Sequence, residues 1–146
     1  MHFNTTGVIV YDPERGNMSH NVEHWAIIRL EQGISDYYRY QFEKKYGIQL
    51  VKPSWEPHIS VLKGYPEINK SIPWGWRNGE EIEVHYGHEI FWNKAHVWIN
   101  TCTPAIDELR HHYGVMNARD NGHMTIGKFK NHEIGLLKEF GTYRDL

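Results

Sequence analysis

The chain has 146 residues, enough for one compact domain and short for two independent cores. Its 40% hydrophobic and 23% charged residues exclude a disordered or fibrous chain. A net charge of −2, with Lys and Arg dispersed, excludes gripping long nucleic acid by charge alone but not holding a small anion with a few local groups.

Taken in chain order, Gly7 to Tyr11 predicts a short apolar strand stopped by Asp12-Pro13, and His24 to Leu30 a largely buried strand. Ile34, Tyr38 and Phe42 fall at spacing four and predict a helix to Tyr46, with Ser35 as its cap and Gly47 as its stop. Strands are predicted at Ile48 to Val51 and Pro57 to Lys63, followed by a loop from Gly64 to Glu80 rich in Pro, Gly and Trp. Further strands run from Glu81 to Tyr86, Glu89 to Trp92 and His96 to Thr101. Thr103-Pro104 opens a helix to about Tyr113, with Thr as N-cap and Pro at the first helical position. Gly122 to Phe129 reads as a strand and Glu133 to Phe140 as a short terminal helix. No low-complexity linker interrupts the chain, so residues 1–146 are expected to form one domain of two similar parts.

Targeting and redox signals are sparse. The one cysteine, Cys102, permits no disulfide framework and no cysteine-rich zinc site. No basic segment followed by an apolar one opens the chain, and no apolar run approaches the roughly 20 residues that span a bilayer. The expectation is a soluble cytoplasmic protein without a membrane partner.

The chain is rich in His (11), Tyr (9) and Trp (6). Histidine exchanges protons near neutrality, and aromatic rings are common platforms for bases. The histidines are organised by an internal repeat. Pro57-His58-Ile59-Ser60-Val61-Leu62-Lys63 matches Gly122-His123-Met124-Thr125-Ile126-Gly127-Lys128. Side chains alternate along a strand, so His58 shares a face with Ser60, and His123 with Thr125. The same alternation sends Lys63 and Lys128 to the opposite face, as solvated strand ends. Two histidines across a groove serve as base and acid for phosphodiester cleavage, and the two hydroxyls donate to its non-bridging oxygens.

The paired His-x-Ser/Thr strands resemble the 2H phosphoesterase superfamily. The resemblance implies an α+β fold of two pseudo-symmetric lobes, with antiparallel strands and outer helices around a central groove, and phosphodiester cleavage without a metal or other cofactor. The small size and aromatic loops are similar to the phage anti-CBASS phosphodiesterases, which destroy host cyclic oligonucleotide signals. That likeness implies a cyclic di- or trinucleotide substrate, and the host cytoplasm as location if the chain is phage-encoded. Within enzymes, the alternative is a 2′,3′-cyclic phosphodiesterase acting on RNA ends. Outside them, it is a protein that sequesters a nucleotide, cyclic or linear, without cleaving it.

Base recognition is expected from Trp74 and Trp76 in the loop Pro73-Trp74-Gly75-Trp76-Arg77, with Tyr11 as a further stacking ring. Glu139 is placed to accept from an exocyclic amine, by analogy with the phage enzymes. His85-x-x-His88 and the adjacent His111-His112 suggest metal ligands, but two such positions on a strand or turn with no nearby Cys are weak evidence, so no metal is expected. His96 and Trp98 alternate on one strand and are read as structural or groove-wall residues.

Overall fold

The computed structural model describes residues 2–14, 23–118 and 121–130. These form, in order, β1 (Phe3–Tyr11), β2 (Trp25–Arg29), α1 (Gln32–Tyr46), β3 (His58–Lys63), β4 (Glu81–Trp92), β5 (His96–Cys102), α2 (Pro104–His112) and β6 (His123–Lys128). The expected terminal helix lies outside the described residues. The architecture is α+β, with one antiparallel sheet in the order β3-β2-β1-β4-β5-β6. The element sequence ββαβ thus occurs twice, and the two copies join where β1 pairs with β4, from Phe3↔Tyr86 to Val8↔Glu81.

The outer strands β3 and β6 come near one another, so the sheet nearly closes. The helices cross over: α1 packs against β6, and α2 against β3. Each helix therefore covers the final strand of the other half of the chain. One face of the sheet carries the core, in which Ile9, Ile28, Ile59, Val84, Ile99 and Met124 meet Tyr38 and Phe42 of α1 and Ile106 and Leu109 of α2.

Some boundaries differ from the sequence reading for local reasons. Helix α1 starts at Gln32, and Ser35 is a buried residue inside it rather than its cap. The helix is held by its buried row of Ser35, Tyr38 and Phe42, and tertiary packing outweighs a capping hydroxyl. Gly47 does end it, at φ 66°, with its N–H bonded to the Glu43 carbonyl at 2.8 Å. Thr103 and Pro104 open α2 as expected, although the threonine side chain makes no capping bond. The strand expected at Ile48 to Val51 reduces to one bridge, Val51 to Lys128, with N–H to carbonyl bonds of 2.8 and 2.9 Å. The two strands expected between Glu81 and Trp92 are one long strand, irregular between Tyr86 and Ile90.

A matched irregularity marks both repeats. Along β3, Ser60 pairs with Ile27 and Leu62 with Ala26, which leaves Val61 as an extra residue. Along β6, Thr125 pairs with Trp98 and Gly127 with Val97, which leaves Ile126 extra. Both are β-bulges at the same position of the repeat. A bulge removes one carbonyl from the ladder, and each is met by an arginine from the crossing helix. Arg110 Nε of α2 donates to the Val61 carbonyl at 2.9 Å, and Arg39 Nη1 of α1 donates to the Ile126 carbonyl at 3.1 Å. Arg110 is 3% exposed, so its bond is sheltered from water.

Candidate active site

Strands β3 and β6 bring the two His-hydroxyl pairs together at the closing edges of the sheet. His58 and Ser60 are half-buried and alternate with the fully buried Ile59 and Val61; His123 and Thr125 alternate likewise with Met124 and Ile126. The two pairs thus lie on the side of the sheet opposite the core. Gly122 sets the entry to β6, since its φ of 95° favours glycine and a Cβ there would meet Ile106 Cδ1 at 2.6 Å.

His58 is oriented by its own chain. Its Nδ1 lies 2.7 Å from the Glu56 carbonyl, which can only accept, so Nδ1 carries the hydrogen. In the neutral ring, Nε2 is therefore the bare nitrogen. Burial holds the imidazole below the usual histidine range, with smaller contributions from Lys63 and His123 in the same direction; the bond to Glu56 opposes them.

The bulges overturn one expectation. Strict alternation sends Lys63 and Lys128 to the face opposite the histidines. The extra residue in each strand reverses the alternation, so that Val61 and Leu62 both point to the core, as do Ile126 and Gly127. Lys63 and Lys128 consequently emerge on the histidine side. Lys63 Nζ lies 5.7 Å from the centre of the Trp25 ring, and Trp25 Nε1 donates to Ser60 Oγ at 3.2 Å. That bond occupies an acceptor position of the serine and leaves its O–H to donate elsewhere. On the other strand His96 pairs with Lys128. Burial lowers the pKa of His96, and Lys128, His123 and Lys63 add to the effect.

The rings beside the histidines are Trp55, Trp25 and Trp98, not the three named as base-stacking candidates. Trp55 lies 4.7 Å from His58 edge-on and Trp25 5.7 Å, while Trp98 lies 6.2 Å from His123. Tyr11 and Trp74 instead pack on each other at 4.8 Å and against Tyr113. Tyr11 shares a side of β1 with the core residue Ile9, away from Ser60. Trp74 Nε1 donates to Asp12 Oδ2 at 2.9 Å. The Tyr113 hydroxyl accepts from the N–H groups of Gly75 and Trp76 and donates to the Pro73 carbonyl, which pins the loop to the end of α2. Trp76 stacks on His112 at 4.1 Å. These three rings build that loop and its junction with α2. The sequence reading missed Trp55; its place three residues before His58, in the segment leading into the strand, was the one signal for it.

Beside His58 is a cavity of about 460 Å³ lined by Val10, Asp12, Pro13, Glu14, Arg29, Trp55 and Glu56. Arg29, which pairs with His58, bonds Glu56 at 2.9 Å on its wall. Glu139 lies outside the described residues. Among the described residues no group of three or more His, Cys, Asp or Glu is placed to hold a metal ion; His85 bonds Glu83 at 2.8 Å, and His88 faces His2. No helix among the described residues is long and apolar enough to cross a membrane.

Compared with protein-family models, curated proteins and solved structures, the chain matches none. The functional reading therefore stands on the site's own chemistry and on the two motifs.

Proposed function

We propose that the protein is a phosphodiesterase acting on a small nucleotide by acid–base catalysis between His58 and His123. The observation that carries this is the paired His-hydroxyl arrangement: two imidazoles and two hydroxyls on the same side of neighbouring strand edges, each pair built in the same way. In this reading the two ββαβ copies are the lobes of a 2H phosphoesterase-like fold, and the site lies in the groove between them.

The hydrogen bond that fixes the His58 ring supports one division of roles. His58, neutral and with Nε2 bare, is the base. It takes the proton from the attacking oxygen, in a ribonucleotide the neighbouring 2′-hydroxyl. As that oxygen bonds to phosphorus, the P–O5′ bond breaks, and protonated His123 supplies the leaving oxygen's proton. Ser60 and Thr125 donate to the non-bridging oxygens, where negative charge grows. Proton carriers matched across a site favour cleavage over sequestration, since binding needs donors but not a base.

The cavity beside His58 has the volume of a small-ligand pocket, and Trp55 gives it an aromatic wall. It is the place for a base next to the scissile phosphate. Trp55→Ala is expected to raise KM about 5- to 100-fold with a smaller change in kcat, the cost of losing one stacking ring. Steady-state kinetics on one substrate checks this; an unchanged KM removes Trp55 from the binding site.

A pH profile tests the assignment of the base. Burial disfavours the charged imidazole, so His58 stays neutral to lower pH than an ordinary histidine. The acid limb of a bell-shaped kcat/KM profile is then expected below about 6.5, with activity on that side lost as the pH drops through it. A limb above that value would assign the base to another group.

The decisive experiment is incubation of the pure protein with a panel of cyclic di- and trinucleotides, 2′,3′-cyclic nucleotides and single-stranded RNA, followed by chromatography. The resemblance to anti-CBASS enzymes, and with it a role in blocking that immunity, makes cyclic oligonucleotides the first substrates to try. Faster cleavage of these than of long RNA, in excess chelator and with weak dependence on salt, is the expected result. Preference for long RNA with a steep salt dependence favours the RNA-end reading.

A further inference from the structure

We propose that Lys63 and Lys128 form a two-sided cationic clamp on the substrate's phosphate, delivered to the site by the paired β-bulges. The inference rests on the phosphodiesterase reading for its substrate, but the anion site itself follows from the fold. Each lysine closes a copy of the repeat, five residues after its histidine. In an unbroken strand both would point away from the site. The same one-residue insertion, at Val61 in β3 and Ile126 in β6, turns both toward it. Arg110 and Arg39 bond the two bulge carbonyls from opposite helices, so the reversal is held in both strands by the same device.

The result is a local concentration of positive charge on a chain whose net charge is −2. Lys63 stands over Trp25, whose indole N–H bonds Ser60, so the ammonium and the serine hydroxyl share one corner of the site. Lys128 stands opposite His96 and shares its strand with Thr125. Burial depresses both His96 and His58, and the lysine charges act in the same direction, both of them at His96 and Lys63 at His58. Such a cluster suits an anion that gains charge during the reaction. A phosphodiester carries one negative charge, and its five-coordinate transition state gathers more on the non-bridging oxygens. Two ammonium groups on that side of the sheet would stabilise the transition state more than the ground state.

The test uses inorganic phosphate as the probe, followed by the amide NMR signals of Ser60 and Thr125. In the wild type, phosphate shifts both signals. In K63Q and K128Q the apparent affinity falls roughly tenfold each, and further in the double variant, as expected for losing a charge-assisted contact. The charge-matched control K44Q/K45Q, at the end of α1, binds phosphate like the wild type. If the double variant binds as tightly as wild type, or the control weakens equally, the clamp is wrong. A protein that cleaves no phosphodiester yet loses phosphate binding in K63Q/K128Q refutes the catalytic reading and keeps the anion site. A protein that cleaves normally without either lysine does the reverse.

Discussion

His58→Ala and His123→Ala are each expected to lower turnover by roughly 10²–10⁴-fold while leaving the fold intact. In the proposed mechanism each variant removes one proton carrier from a pair whose steps are coupled. Without His58 the attacking oxygen keeps its proton; without His123 the leaving oxygen departs as an unprotonated alkoxide. Both side chains are half-buried on the side of the sheet away from the core, so truncation opens no cavity in the packed interior. Because the two roles act on one event, the double variant should lose little more than the worse single one. Ser60→Ala and Thr125→Ala should lose less, about 10- to 100-fold, since each hydroxyl is one of several phosphate contacts. Single-turnover rates with saturating substrate measure these losses. Near-normal turnover in either histidine variant would end the paired mechanism.

The second large effect is on stability. Arg110→Met is expected to destabilise the protein by about 2–4 kcal/mol, because it strands the Val61 carbonyl and replaces a buried, hydrogen-bonded head group with a thioether. For a chain of this size that lowers Tm by roughly 5–15 °C. Arg39→Met should cost less, about 1–2 kcal/mol, although it removes the same bond from the other bulge. The Arg39 side chain is 12% exposed and also pairs with Asp36 near the surface, so water can replace part of what is lost. Thermal unfolding followed by circular dichroism compares the two. Equal melting temperatures for Arg110→Met and wild type would show that the arginine does not hold the bulge. A loss confined to Arg110→Met would break the equivalence of the two halves.

The two His-hydroxyl pairs were legible because their signal is local. The His-x-hydroxyl repeat is written twice in contiguous residues, and strand alternation alone places each imidazole beside its hydroxyl. The helix stop at Gly47 and the Thr103-Pro104 start were legible for the same reason, since each depends on backbone preferences of the residues present. Ser35 misled because a capping hydroxyl and a buried one look alike until the packing of α1 against β6 is known.

What the tertiary structure decided is how those local pieces face one another. Sequence order cannot show that β1 pairs with β4, that the outer strands then approach, or that each helix crosses to cover the other half. It also cannot show a bulge. Val61 and Ile126 look like ordinary strand residues, and only their registers against β2 and β5 reveal one residue too many. That single residue decides the side on which Lys63 and Lys128 emerge, because side-chain direction has period two and one insertion inverts it. Ring placement was likewise non-local. Trp74 and Trp76 have the composition of a binding loop, yet the hydroxyl of Tyr113 ties that loop to α2. Trp55 reaches His58 because the chain between α1 and β3 first bridges to Lys128 and then turns back into the sheet.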